Sequence, residues 1–118
     1  MIARRPFLSG EEAPWIEGWR AKLTTTLVRA LHALITICAA NGEPGVAIQH
    51  AEEILEVEPY RETAYQELMR LHAAMGNRAE ALRVLARCRD RLRSDLGTTP
   101  SPETESVWRA IETKVDGQ

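Results

Sequence analysis

The sequence predicts an all-α fold of stacked helical hairpins with about five or six helices, and three observations carry that prediction. Apolar residues recur at i, i+3 and i+4 along most of the chain, the period of a helix face, and no stretch reads as a strand. Glycine and proline fall mostly between these periodic segments, where they punctuate helices. Gly42 and Gly76 lie 34 residues apart, and their surroundings repeat with them: Leu31 and Tyr65, Leu34 and Leu68, Cys38 and His72, Ala47 and Ala81, Ala51 and Leu85, Ile54 and Cys88.

Taken in order, residues 1–13 read as an irregular lead-in with Pro6 and Gly10 as breaks. Pro14 suits a first helical turn, where a missing N–H costs nothing. From there to Ala40, Trp15, Trp19, Leu23 and Leu27 follow i, i+4 spacing, and Leu27, Leu31, Leu34, Ile35 and Cys38 continue the face. This segment is one long helix, or two with a bend near Thr24–Thr26. Asn41-Gly42 ends it. A second helix is expected from about Pro44 to Glu56, burying Ala47, Ala51, Ile54 and Leu55. A third runs from about Tyr60 to Met75, burying Ala64, Tyr65, Leu68, Leu71 and Met75, with Glu58 and Glu62 near its N-terminus, where the dipole favours negative charge. A fourth spans about Arg78 to Leu96, with Ala81, Leu82, Leu85, Cys88, Leu92 and Leu96 inward and Gly97 as its cap. Ser101 and Pro102 then start a last helix to about Val115 along Val107, Trp108 and Ile111. A 34-residue helix–turn–helix period is that of a tetratricopeptide repeat, so the expected architecture is a right-handed α-solenoid. Such units bury apolar faces on their neighbours and offer a concave surface to a partner.

Composition narrows the function classes. With 44% hydrophobic and 27% charged residues, the chain suits a globular protein rather than disorder. A net charge of −2 gives no overall attraction to nucleic acid. Two cysteines without a CxxC, and no secretory segment, suggest buried thiols in a reducing, cytoplasmic setting. No run of purely apolar residues approaches the ~18 of a membrane span, so no membrane partner is expected. His32, His50 and His72 show no ligand spacing with Cys38 or Cys88. No nucleophile–base–acid set or phosphate loop is recognisable, so the expectation is no enzyme, no catalytic residue, no metal and no cofactor.

Four segments carry a resemblance. They are Phe7-Leu-Ser-Gly10 followed by Trp15-Ile-Glu-Gly-Trp-Arg20; Glu58-Pro-Tyr-Arg-Glu62 leading into Leu68-Met-Arg-Leu71; Gly76-Asn-Arg-Ala-Glu-Ala-Leu82; and Leu92-Arg-Ser-Asp-Leu-Gly-Thr-Thr-Pro-Ser-Pro-Glu103. In this order and spacing, roughly residues 7–114 resemble the bacterial transcriptional activator domain of SARP-type, AfsR-like and EmbR-like regulators. The resemblance implies a tetratricopeptide-like helical domain, residues 1–118, that serves dimerisation, regulatory coupling and contact with the transcription machinery, with RNA polymerase the expected partner. It also implies that DNA is met by a separate winged-helix domain. Neither that domain nor the helices that usually precede the Phe-Leu-x-Gly segment has a counterpart here, and the chain reads as a piece of something longer or a protein without its front end.

Ten residues are candidates for partner contact. Trp15, Trp19 and Arg20 fall in the resemblance's tryptophan segment; Trp and Arg are favoured anchors, yet Trp19 is expected to pack between helices. Trp108 is expected to pack on the last repeat. Arg61, Tyr65, Arg70 and His72 lie on or beside the first helix of their repeat, the helix that lines a groove in tetratricopeptide proteins. Arg83, Arg87 and Arg91 line one helix face, which is either a surface for phosphate or an acidic protein, or a solvated face relieved by Glu80 and Asp90. Leu23 and Leu27 would lose their cover without preceding helices, so self-association through the long helix is expected.

Overall fold

The structure, a computed structural model, describes residues 13–116, and side chains over 15–114. Five helices make up the described part: α1, Ala13–Ala40; α2, Pro44–Val57; α3, Glu62–Ala74; α4, Arg78–Leu96; and α5, Pro102–Asp116. No strand occurs among the described residues. The predicted all-α fold and its helix order are present. The long first segment is one continuous helix despite its three threonines. The lead-in, including Phe7–Gly10, lies outside the described residues.

By compactness the chain divides into residues 1–30 and residues 31–118. In the second unit α3 packs against α2, α4 and α5, and α4 also packs against α5. Ala47, Ala51, Ala64 and Ala81 are fully buried, as are Ile54, Leu68, Met69, Leu85 and Cys88. Alanines at these positions remove the side-chain spacing that would hold helices apart, so neighbouring backbones can approach closely. Leu31, Ile35 and Cys38 of α1 are also buried, as are Val107 and Ile111 of α5.

The 34-residue period is visible in the turns. Glu43 N–H donates to the Cys38 carbonyl and Asn77 N–H to the His72 carbonyl, both at 2.8 Å. These are the same six-residue closures, one period apart, and each passes through a glycine at positive φ: Gly42 at 77° and Gly76 at 81°. Cys38 and His72 therefore match because their carbonyls close equivalent turns.

Several expected core residues lie outside the core. Met75 (45% exposed) forms the C-cap of α3, Leu96 (53%) is the last residue of α4, and Leu82 (46%) points away from the Ala81–Leu85–Cys88 stripe. Met69, Val84 and Thr104 are buried instead. The membrane expectation also needs correcting. Trp15–Ala40 is long and apolar enough to cross a bilayer by length and composition, with mean hydropathy 1.5 in its most apolar window, because its few charged residues are diluted in leucine, isoleucine and alanine. Only 22% of that window is buried, and Leu31, Ile35 and Cys38 are among the buried residues of the helix.

Candidate partner-contact surfaces

Within residues 15–30 a row of large apolar side chains faces outward, although Val28 is buried. Trp15 is 70% exposed and Trp19 55%, and Leu23 and Leu27 continue the exposed stripe. The expectation that Trp19 packs between helices is not met. Glu17, Arg20 and Lys22 are exposed along the same stretch. Burial of large apolar residues is worth roughly 1.5–3 kcal/mol each, so a row of four left in water is a surface that gains from being covered.

The arginine-rich α4 presents a different surface. Arg87 donates to both carboxylate oxygens of Glu52 at 2.9 Å, tying α4 to α2. Its guanidinium also lies 5.9 Å from the Tyr65 ring. Arg83 pairs with Glu80, Arg91 donates to Asp95 at 3.3 Å, and Arg93 to Asp90 at 2.8 Å. Arg89 donates to both oxygens of Glu105, at 3.0 and 2.6 Å, tying α4 to α5. Arg78 lies over the Trp108 ring at 5.9 Å, which is the packing expected of that tryptophan. Every arginine of the expected basic stripe thus faces a carboxylate. A phosphate placed here would have to displace one, so the face offers an anion no vacant cationic cradle.

Tyr65, Arg87 and Arg91 come together in one cleft, with Glu52, Glu56 and Asp95. Burial pushes the Tyr65 phenol upward, and its hydroxyl donates to the Pro59 carbonyl at 2.9 Å. The hydrogen bond to Asp95, at 3.0 Å, raises the Tyr60 phenol. The Glu105 carboxyl is held below its ordinary range by the hydrogen bond from Arg89. Burial first, and nearby Glu62 and Glu105 second, push the Cys88 thiol up to about 12, so it stays protonated and unreactive at neutral pH.

The remaining candidates are dispersed. Arg61 donates to Glu58 beside the turn into α3. His72 is half-buried, with its Nδ1 buried and lacking a hydrogen-bond partner. Arg70 lies on a groove of about 800 Å³ between α3 and α5, floored by Val107 and Ile111 and walled by Ala73, Ala74 and Ala110. No group of three or more His, Cys, Asp or Glu side chains could hold a metal among the described residues.

Sequence reasoning missed the polar joint that seats α5. Glu62 Oε1 accepts from the Thr104 hydroxyl at 2.6 Å and from the Ser101 N–H at 2.8 Å. Gln66 Nε2 donates to the same hydroxyl oxygen at 2.9 Å. Thr104 is fully buried. Its position, three residues before Val107 and seven before Ile111, continues the apolar stripe and was the available signal.

Fold and surface together define an all-helical, repeat-like protein. More narrowly, the sequence matches the bacterial transcriptional activator domain over residues 4–112, and the chain belongs to that family, whose members are transcriptional activators. No curated protein and no solved structure matches it.

Proposed function

We propose that this chain is the protein-contact and oligomerisation module of a bacterial transcription regulator, working in the cytoplasm as a homodimer and touching the transcription machinery, RNA polymerase included. It performs no catalysis and carries no cofactor. DNA is met by a winged-helix domain distinct from these residues. The family match over residues 4–112 carries the reading. Two features of the surface support it: Arg83, Arg87 and Arg91 of α4 are each paired with a carboxylate, and Trp15, Trp19, Leu23 and Leu27 present an outward apolar row. Trp15, Trp19 and Arg20 are the leading contact residues.

The test is retention of RNA polymerase holoenzyme on immobilised chain, with an Arg83/Arg87/Arg91 charge reversal as control. Retention by both proteins is expected, placing the contact away from α4. Retention lost in the reversal would move the contact onto α4, and no retention by either would sink the polymerase contact. A second reading, a peptide-binding scaffold unrelated to transcription, is favoured by the open groove between α3 and α5.

A further inference from the structure

The turn between α1 and α2 differs chemically from its counterpart between α3 and α4. Both reverse through a glycine at positive φ, Gly42 and Gly76. In the first turn the glycine follows an asparagine, Asn41. In the second it follows Met75, and the asparagine, Asn77, comes after it and precedes Arg78. An asparagine side chain ends in an amide carbonyl carbon that the backbone nitrogen of the next residue can reach, closing a five-membered ring. Whether it does so depends on how freely that nitrogen moves and on what the next side chain puts in the way.

At Asn41 the way is open. Asn41, Gly42 and Glu43 are exposed, and a Cβ placed on Gly42 would meet nothing within 4 Å. The Gly42 N–H is held only by the Ala39 carbonyl at 3.2 Å, the long end of the ordinary range. No hydrogen bond ties the Asn41 side-chain amide to another described residue. At Asn77 the way is closed. Arg78 is the first residue of α4, so its nitrogen is fixed in a helical turn, and the Asn77 carbonyl accepts from the Ala81 N–H at 3.1 Å. The Arg78 side chain also crowds that nitrogen, with its guanidinium over the Trp108 ring.

We propose that Asn41 is a modification site, where the folded chain deamidates through a succinimide. The Gly42 nitrogen gives its proton to hydroxide and attacks the Asn41 side-chain carbonyl carbon. The new C–N bond closes the ring, and the side-chain nitrogen leaves as ammonia. Water then adds to either ring carbonyl and breaks its bond to nitrogen. Opening at the side-chain carbonyl gives aspartate. Opening at the main-chain carbonyl gives isoaspartate, in which the former side chain carries the backbone onward. Either product puts a negative charge at the C-terminal end of α1, where the helix dipole disfavours it. Isoaspartate also adds a carbon to the backbone inside the loop that the Glu43 N–H closes onto the Cys38 carbonyl, so that closure must stretch or open. The first hairpin turn therefore ages while the second does not.

Incubation of the purified full chain at mildly alkaline pH, followed by mass analysis of its proteolytic peptides, tests the site. The peptide holding Asn41 is expected to gain about one mass unit at least about tenfold faster than the peptide holding Asn77. The rate should rise with pH, and the product should accept a methyl group from an isoaspartate-specific methyltransferase. Asn41→Gln, whose longer side chain would have to close a six-membered ring, is expected to stop the conversion with an unchanged helical circular dichroism spectrum. Equal rates at the two asparagines overturn the proposal. So does conversion of Asn41 only after urea unfolds the chain, which would mean that the bond to the Ala39 carbonyl protects the turn. Aspartate formed without isoaspartate also overturns it, because direct hydrolysis needs no ring.

Discussion

Leu34 and Leu68 occupy the same position in successive hairpins, 34 residues apart, yet Leu34 is 40% exposed and Leu68 is fully buried. Their neighbours in sequence behave alike: Leu31 and Tyr65 are both buried, as are Ile35 and Met69. The difference therefore comes from what lies beside each helix. The helix carrying Leu68 packs against three others, α2, α4 and α5. Leu34 belongs to the helix whose apolar side chains include the exposed Leu23, Leu27 and Ile37. A repeat motif fixes which way a side chain points relative to its own hairpin; whether it ends up in the core depends on whether another element covers that direction.

The comparison can be broken first where its stakes are highest. Leu68→Ala should cost about 2–5 kcal/mol of unfolding free energy by urea denaturation, since it opens a cavity in a site surrounded by helices. A loss comparable to that of a surface substitution would mean that the second hairpin is no better packed than the first.

Glu62→Ala sharpens the explanation by attacking the seat of α5. It strands the buried Thr104 hydroxyl and the Ser101 N–H, and the expected cost is about 1–3 kcal/mol, again by urea denaturation. Proteolysis should then cut the Thr98–Ser101 linker before any other site. Unchanged stability and an unchanged digest would show that α5 is held by Val107 and Ile111 alone.

A smaller effect concerns the Arg89–Glu105 tie between α4 and α5. The folded carboxyl is depressed, so its contribution is full above the ordinary glutamate value of about 4.3 and is lost as pH falls through the lower folded value. The pair is partly solvent-exposed, so screening limits it to roughly 0.2–1 kcal/mol. Arg89→Gln should flatten the decline in stability between about pH 5 and pH 3 by that amount, and a parallel decline in both proteins would show the pair to be inert.

Leu34→Ala is the smallest: within about 0.5 kcal/mol on the fold, as for a surface position, against the several lost at Leu68. Similar losses at the two sites would erase the contrast.

Much of this fold was legible in the residues. Pro44, Pro102 and Gly97 marked helix ends to within a residue or two, and the 34-residue pairs identified the hairpins and about half of the buried apolar residues. Leu82 and Trp19 were misread because helical spacing defines a stripe without saying how wide the covered sector is. The surfaces were less legible. The arginine stripe was correctly placed on α4, but its partners Glu52 and Glu105 lie on other helices, at sequence separations that no local pattern encodes. Glu62 was read as a dipole partner of its own helix, whereas its oxygen is committed to the start of α5, about forty residues on.

The joint also changes what the last of the four resembling segments means. In Asp95-Leu-Gly-Thr-Thr-Pro-Ser-Pro-Glu103, Gly97 takes positive φ to end α4, Thr98 N–H closes back on the Leu92 carbonyl, and Ser101 offers its N–H to Glu62. Those residues are carpentry. They announce that a fifth helix is mounted and at what angle the chain turns to reach it, and they are silent about who visits the finished surface. A pattern of this kind is an architectural signature: two proteins could share it letter for letter and still keep different company.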